Sequence, residues 1–366
     1  MNNNFADLKN LYDTNDFIGL INDPNGIYWL KLRSVSRSTQ LRELCNFAEI
    51  NCESVPYRQL MEFVYDSKPD EELIDKYINE IFDYDRNARK ENENYLISQL
   101  YQMKVFDWGG LYQNSLEQTI VNNYVKIIQN WEELNNAIEN EILTSMQGYV
   151  RCSWYNHWTS IIIEDIFKDH ELVIPAVGLV KKVDFFINNY PFDLKVTYFP
   201  DGYMKELRRN EGLRPEFTKL KIFCRENDIW FDRSKNESAL FPELLAKISE
   251  NPSTLAKEFI VDFNEVRRRL ITRTMNNPSD LIIWLYENQG IRRFDAASRF
   301  FLILVDLNNL EDSWKLKRNK DLLITSINSH LSNMKNMNYK ELSLKFNWQD
   351  REYDTYSDIL FLIVNN

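Results

Sequence analysis

The most informative stretch of this sequence is residues 179–199, LVKKVDFFINNYPFDLKVTYF. Two runs rich in β-branched and aromatic residues, 183–187 and 192–199, lie on either side of a polar Asn188-Asn189 step. Because asparagine tolerates the positive φ angles of a tight hairpin turn, this step can serve as a two-residue loop. We therefore predict a β-hairpin in this stretch.

The pairing of this hairpin brings two acidic residues together. With the loop at residues 188–189, Ile187 pairs with Tyr190, and Asp184 lies directly opposite Asp193. Side chains alternate between the two faces of a strand. One face is apolar and carries Val183, Phe185, Ile187, Tyr190, Phe192, Leu194 and Val196. The other face carries Lys182, Asp184, Asp193 and Lys195.

The second face has an electrostatic conflict that points to a metal ion. Like charges directly opposite each other destabilise a strand pair, and the surrounding residues are too apolar for a solvated edge. A divalent cation between Asp184 and Asp193 would remove the conflict, because Mg²⁺ takes oxygen ligands from one or two carboxylates. Lys195 projects from the same face. The pattern is an aspartate, eight intervening residues and then Asp-x-Lys.

This arrangement resembles the PD-(D/E)xK nuclease superfamily. In that family an aspartate ends one strand, the next strand carries (Asp/Glu)-x-Lys, and a glutamate often comes from the preceding helix. The matching residues here are Asp184, Asp193, Lys195 and Glu164, and the resemblance implies that these four are catalytic. It also implies that Asp184, Asp193, Glu164 and the backbone carbonyl of Leu194 bind Mg²⁺, for which Mn²⁺ could substitute.

The resemblance covers residues 150–200 and departs from the family at Val183, where proline often precedes the aspartate. It implies a mixed α/β fold, with a restriction-endonuclease-like αβββαβ core and a central mixed sheet. It also implies a DNA endonuclease that leaves 5′-phosphate and 3′-hydroxyl ends. Most specifically, we expect a type II restriction endonuclease of a restriction-modification system. Such an enzyme would cut a specific double-stranded sequence as a homodimer, with one site for each strand.

A helix is predicted at residues 154–168, with Ser153 as its cap. Most of its surface is apolar, so we expect it to be buried. Its narrow polar stripe consists of Ser153, His157, Ser160 and Glu164. A carboxylate on a buried helix needs a partner or a metal ion. Glu164 therefore either joins the metal site or pairs with a buried lysine or arginine such as Lys182. We expect His157 to form hydrogen bonds in the interior rather than to bind metal.

The charge distribution allows nucleic-acid binding in one part of the chain. The net charge of −11 at first argues against it, but residues 1–150 carry all of that excess, with 13 basic and 24 acidic residues. Phosphate binding needs a local basic surface rather than a basic protein. The candidate nucleic-acid contacts are Lys182, Lys205, Arg208, Arg209 and Arg214. A second cluster contains Arg267, Arg268, Arg269 and Arg273, with Arg292 and Arg293 nearby. For any single cluster an ordinary solvated helix face is the preferred interpretation, and it is the location of the clusters in the same half of the chain as the acidic site that favours DNA binding.

The rest of the sequence predicts many helices around the hairpin. We expect a mainly helical, acidic region at 1–148 for recognition or partner contact, and a nuclease core at 149–366 with a helical insertion at 203–297. Apolar spacings of three and four predict N-terminal helices at 41–50, 57–65, 70–82, 93–103, 115–128 and 131–146. Further helices are predicted at 241–249, 255–274, 278–288 (ended by Gly290) and 312–334.

Strands are predicted on either side of these helices, at 172–177, 342–348 and 358–364. The apolar run 300–306, FFLILVD, is typical of a central strand buried on both faces. We expect Asp306, at its end, to be a turn residue rather than a metal ligand.

Several other classes of protein are disfavoured. The N-terminus does not have the pattern of a signal peptide, apolar runs such as 300–305 are too short to span a bilayer, and the four cysteines have no metal-binding spacing. We therefore expect a cytoplasmic protein without a membrane partner. Neither GxxxxGK[ST] nor GxGxxG occurs, so no nucleotide cofactor is expected.

Two alternatives to a restriction enzyme stay open. A defence or repair nuclease would keep the fold but act on modified or single-stranded DNA or on RNA. A catalytically inactive module that binds nucleic acid or protein would belong to another class. In that case Asp184 with Lys182, and Asp193 with Lys195, would form salt bridges only. The sequence does not identify a recognition site, a cut position or a methylation sensitivity.

Overall fold

The structure is a computed structural model, and it describes residues 4–108, 116–178, 180–235, 237–288 and 298–365. Gly290, Arg292 and Arg293 lie outside these residues, so the predictions made for them have no structural counterpart. No helix in the described ranges is both long enough and apolar enough to cross a bilayer.

A six-stranded mixed sheet forms the centre of the described structure. Its strands are β1 (Val173–Pro175), β2 (Phe185–Ile187), β3 (Tyr190–Tyr198), β4 (Ser298–Asp306), β5 (Ser343–Trp348) and β6 (Arg351–Val364). The spatial order is β1-β2-β3-β4-β6-β5. Strands β1, β2 and β3 are antiparallel to one another, whereas β4 is parallel to both β3 and β6. The predicted mixed α/β class with a central mixed sheet is confirmed at this level.

Strand β4 is buried on both faces, as the continuous apolar run predicts. Phe300, Leu302 and Leu304 belong to one hydrophobic core, which also contains apolar residues of the N-terminal helices. The alternate residues of the strand, including Phe301 and Ile303, belong to a second core on the other face. Side chains from one strand alternate between faces, so β4 joins the two cores through the sheet. The carboxylate of Asp306, at the end of β4, accepts the backbone amides of Asn308 and Asn309, and its predicted role as a turn residue is confirmed.

The region before the sheet is helical in its described part. The helices are α1 (Phe5–Asp13), α2 (Phe17–Asn22), α3 (Gly26–Ser34), α4 (Ser38–Phe47), α5 (Tyr57–Ser67), α6 (Glu71–Leu100), α7 (Leu116–Ile120), α8 (Trp131–Ala137) and α9 (Leu143–Lys168). The two predicted helices at 70–82 and 93–103 are in fact the single helix α6. The polar residues between them contain no glycine or proline to end a helix, and Arg86 and Arg89 both pair with Asp165 of α9.

Helix α9 begins earlier than the sequence predicts. Residues 131–168 are helical without a break, because α8 leads through a π-helical turn, Ile138–Ile142, into α9. Ser153 therefore lies inside a helix, and the prediction that it caps one is wrong. The predicted domain boundary at 148/149 falls within α9, and the division into two domains stays a prediction.

Helices also fill the described part of the segment between β3 and β4. They are α10 (Asp201–Asn210), α11 (Glu216–Glu226), α12 (Glu237–Ser249), α13 (Thr254–Asn276) and α14 (Ser279–Glu287). After β4, the predicted helix 312–334 is divided into a 3₁₀ helix, Leu310–Arg318, and α15 (Lys320–Asn333). The division falls at Asn319, whose side chain accepts the amide of Leu322 and caps α15.

Candidate functional site

The predicted hairpin is present, and its loop has the predicted geometry. Asn188 and Asn189 have φ angles of 48° and 67°, in the left-handed region that asparagine tolerates. Ile187 pairs with Tyr190, and Phe185 pairs with Phe192, as in the predicted register. Local turn chemistry and an alternating pattern were sufficient to predict this part of the site.

Asp184 lies immediately before β2 and is bound to the next strand through two backbone contacts. Its amide donates to the carbonyl of Phe192 at 2.8 Å. Its side-chain Oδ2 accepts the amide of Leu194 at 2.7 Å. Asp184 therefore lies against the stretch of β3 that contains Asp193, and the backbone fixes the position of its carboxylate.

Asp193 is buried between two cationic side chains. Oδ1 of Asp193 lies 2.7 Å from Nζ of Lys195, two residues along the same strand. Oδ2 lies 3.5 Å from Nε of Arg299, the residue beside Asp193 on the parallel neighbour β4. Nζ of Lys195 also donates to the carbonyl of Leu194 at 3.3 Å. That carbonyl, a metal ligand by the family resemblance, therefore already has a donor.

The surroundings of Asp184 make its carboxyl group a weaker acid than usual. Burial, together with the negative charges of Asp193 and Glu164, raises its pKa to about 6, while the Leu194 amide and Lys195 act in the opposite direction. The negative charge of Glu164 thus acts on Asp184, as expected for a group of acids around one site. A carboxylate with this pKa is mostly ionised at neutral pH, and its ionised form is destabilised by its neighbours.

Glu164 is half-buried and has a lysine partner on its own helix. Lys168, one turn further along α9, forms an ion pair with it. The suggested alternative partner, Lys182, lies elsewhere. Its Nζ donates to Oδ1 of Asn15 at 3.4 Å and lies 5.4 Å from the centre of the Phe17 ring. The alternative that Glu164 pairs with a buried lysine is therefore met by Lys168 from the next helical turn rather than by Lys182.

His157 is exposed on α9 and packs against the ring of Trp158. The expectation of an interior histidine fails because this part of α9 presents one side to solvent, where Trp154 is also exposed. His157 is thus not part of the candidate site.

The acidic residues fit a hard cation only in part. Among the residues that the structure describes, no three histidine, cysteine, aspartate or glutamate side chains are gathered closely enough to hold a metal ion. Carboxylate oxygens are nevertheless ligands that suit a hard cation. Such a cation would also relieve the mutual repulsion around Asp184. Mg²⁺ commonly uses one or two protein carboxylates and completes its shell with water and phosphate oxygens. Asp184 and Asp193 could provide such a pair, with Glu164 nearby.

The first basic cluster lies partly at the surface. Arg209 and Arg214 are exposed, and Lys205 is exposed and paired with Glu237 at 2.8 Å. Arg208 is only 2% exposed, and its Nε donates to the carbonyl of Arg214 at 2.9 Å. Arg208 therefore holds the loop after α10 and is not positioned to contact a ligand at the surface.

The second basic cluster is largely neutralised within the protein. Arg267 is buried and binds Glu216 and Glu311. Arg269 and Arg273 both bind Glu211, each at 2.6 Å. These acids lie outside the cluster in the sequence, so the run of arginines alone gave no sign of the pairing. The cluster contributes less free positive charge than its composition indicates.

Arg299 is a member of the site that was not predicted from the sequence. Arg299 directly precedes the apolar run of β4, and its side chain reaches Asp193 only because β3 and β4 are parallel neighbours in this register. A signal existed in the form of a basic residue at the start of an otherwise apolar buried strand. Identifying its partner requires the strand order, which local sequence does not give.

Comparison with known proteins yields no relative of this chain. No protein-family model matches it, and neither a curated protein nor a solved structure matches it significantly.

Proposed function

We propose that this chain is a Mg²⁺-dependent endonuclease that hydrolyses DNA phosphodiester bonds, and most specifically a type II restriction endonuclease that cuts a defined double-stranded sequence. The observation that carries the proposal is the grouping of Asp184, Asp193 and Lys195 on one hairpin. There the Leu194 amide binds Asp184, and Lys195 binds Asp193. This is the arrangement that the resemblance to PD-(D/E)xK nucleases implies for a nuclease site.

The order of elements gives further support. Helix α9, the three antiparallel strands β1 to β3, a helical segment and the strand β4 follow one another along the chain. This sequence of elements agrees with an αβββαβ core. The helix that precedes the strands carries Glu164, whose charge acts on Asp184.

The chemistry assigns a different task to each group. Asp184 and Asp193 would hold Mg²⁺, or Mn²⁺ as a substitute, and Glu164 and the Leu194 carbonyl would complete the protein's share of ligands. The bound ion would supply positive charge at the phosphate and a more acidic water molecule. Lys195, with 34% of its side chain exposed, would orient the attacking water and stabilise the negative charge that develops on the phosphate.

The partner is proposed to be double-stranded DNA. Lys182, Lys205, Arg209 and Arg214 are the residues proposed to contact its phosphates. A homodimer would present one site to each strand, and the acidic N-terminal region would serve recognition or partner contact. A cytoplasmic location agrees with this role.

Cleavage of unmethylated phage and plasmid DNA with Mg²⁺ tests the proposal, with Lys195→Ala as the decisive variant. Lys345→Ala is a matched control, because Lys345 is also a strand lysine near an aspartate but is 64% exposed and lies on β5. Discrete fragments from the wild type and the control, but not from Lys195→Ala, would support a sequence-specific nuclease that uses Lys195. Equal cutting by all three proteins would exclude this site.

The nearest alternative is a nuclease with another target. Cutting confined to modified DNA, single strands or RNA, and lost in Lys195→Ala, would retain the site but assign the enzyme to defence or repair. The same preparations therefore need to be tested on these substrates as well.

One observation favours a second class, a catalytically inactive binding module. Asp193 is paired with both Lys195 and Arg299, so the pairs could serve structure alone. Calorimetry with Mg²⁺ and Mn²⁺ separates the two accounts. Heat of cation binding that is present in the wild type and disappears in Asp193→Asn supports the nuclease. The module is supported if the wild type binds neither cation and its melting temperature is the same with and without them.

A further inference from the structure

Arg299 is a buried cation directed at one of the proposed catalytic carboxylates. It is only 2% exposed. It lies beside Asp193 in the parallel pairing of β3 and β4, and its Nε lies 3.5 Å from Oδ2 of Asp193. A charge taken out of water is tolerated when an opposite charge lies close to it. Arg299 and Asp193 thus compensate each other in the interior.

The guanidinium of Arg299 is supported from behind by an aromatic ring. Its central carbon lies 4.7 Å from the centre of the Tyr286 ring, within the range of a cation–π contact. The hydroxyl of Tyr286 is in turn hydrogen-bonded to Oγ1 of Thr355 at 2.7 Å and to Oγ of Ser357 at 2.9 Å. Helix α14 and strand β6 therefore fix the place of Arg299.

The two cations at Asp193 differ in their freedom to move. Arg299 is enclosed by the sheet and α14, whereas Lys195 has a third of its side chain exposed. If Lys195 alone balanced Asp193 in the protein without bound metal, its departure would leave a buried carboxylate without a counter-charge, which is strongly unfavourable. The presence of Arg299 removes that obstacle.

We propose that Arg299 is a positioning residue that holds Asp193 in place as its permanent counter-charge, so that Lys195 can leave Asp193 and act on the substrate. The part of this proposal that concerns catalysis rests on the nuclease function proposed above. The part that concerns the release of Lys195 does not, because it is a property of the protein without substrate.

The test compares Arg299→Gln with Arg267→Gln. Arg267 is a matched control, because it is also buried (5% exposed), lies over the ring of Phe263 and pairs with carboxylates. Both variants remove a buried guanidinium, but only one lies at Asp193. Arg299→Lys keeps the positive charge and serves as the conservative variant. Circular dichroism and denaturation establish that each variant is folded before any comparison.

The first readout is the rate at which acetic anhydride labels Lys195, measured by mass spectrometry relative to the exposed Lys9. Without Arg299, Asp193 retains Lys195 more tightly, and we expect labelling to slow by about threefold in Arg299→Gln. No change is expected in Arg267→Gln, and Arg299→Lys is expected to restore most of the rate. Unchanged or faster labelling in Arg299→Gln would overturn the proposal, whether or not the protein cuts DNA.

The second readout is the kinetics of DNA cleavage. In Arg299→Gln we expect kcat to fall roughly 10- to 100-fold, as is typical for residues that orient a catalytic group. KM is expected to change little, because Arg299 does not reach the surface. An equal fall in Arg267→Gln would reveal a purely structural effect and overturn the positioning role. If the wild type cuts no substrate, the proposed nuclease function is wrong. The labelling result still decides whether Arg299 allows Lys195 to leave Asp193.

Discussion

The amide of Leu194 donates a hydrogen bond to Oδ2 of Asp184 at 2.7 Å. This amide belongs to the peptide unit that joins Asp193 to Leu194, so the backbone beside one carboxylate fixes the other. The approach of the two acids is therefore built into the hairpin and does not depend on side-chain ion pairs. An asparagine at position 184 could accept the same hydrogen bond without the charge.

The substitution Asp184→Asn is expected to stabilise the protein at alkaline pH. The pKa of Asp184 is raised from 3.8 to about 6, so the folded state binds this proton more tightly than the unfolded chain does. Between about pH 4 and about pH 6 its contribution to stability therefore falls as pH rises. One pKa unit corresponds to about 1.4 kcal/mol. Allowing for solvent screening at this half-buried group, we expect the free energy of unfolding of Asp184→Asn to exceed that of the wild type by about 1–2 kcal/mol at pH 8.

Urea denaturation at pH 8 and below pH 4 measures this difference, with the exposed Asp262→Asn on α13 as a control. The gain should be absent at the lower pH, where both forms of residue 184 are neutral. A variant that is less stable than the wild type at pH 8 would show that the ionised Asp184 is compensated in the absence of metal.

Divalent cations are expected to raise the melting temperature through Asp184 and Asp193. A ligand at a hundred times its Kd stabilises the folded state by about 2.7 kcal/mol, which corresponds to a rise of several degrees. We expect Mn²⁺ and Mg²⁺ to produce this shift in the wild type, and we expect Asp184→Asn and Asp193→Asn to abolish it. In Glu164→Gln the shift should be smaller but present, because Glu164 also has Lys168 as a partner.

Asp306→Asn is the control for these melting experiments. Its carboxylate closes a turn after β4, and we expect the same cation-dependent shift as in the wild type. A shift that persists in both Asp184→Asn and Asp193→Asn would locate cation binding elsewhere in the protein.

Arg86→Leu is expected to destabilise the fold strongly. Arg86 on α6 is only 3% exposed and binds Asp169 through Nη2 at 2.9 Å, and it also pairs with Glu93. Removal of one partner from a buried ion-pair network typically costs about 3–5 kcal/mol, because the remaining charges stay buried. Chemical denaturation should show this loss, while Arg58→Leu at the exposed surface of α5 should change stability by less than about 0.5 kcal/mol. Equal effects of the two variants would contradict a structural role for the contact between α6 and α9.

The local parts of the fold were predictable from the sequence, and the contacts between distant segments were not. The hairpin followed from Asn188-Asn189 and the flanking alternation, and β4 followed from its apolar run. The pairing of Arg267 with Glu216, and of Arg299 with Asp193, depends on how segments far apart in the chain meet. The continuity of α6 has a similar cause, since Arg86 and Arg89 in its polar middle section pair with Asp165 of α9.

The same distinction applies to the candidate site. Asp184, Asp193 and Lys195 could be grouped from one hairpin, because strand periodicity determines their relative placement. Glu164 was assigned correctly to the helix before the strands, but its lysine partner was not. Whether the four residues bind a metal ion and cleave DNA stays a prediction.

The parallel pairing of β3 with β4 has a consequence for how the chain folds. Asp193 and Arg299 are about a hundred residues apart in the sequence but adjacent in the sheet. The hairpin of β2 and β3 is local and can form early. Strand β4 can pair with β3 only after the long segment between β3 and β4 has closed into a loop. This step is slow because closing a long loop costs entropy. During that interval the apolar strand β4 and the hairpin that carries Asp184 and Asp193 are both exposed. Folding intermediates of this protein should therefore aggregate through β4 until docking is complete.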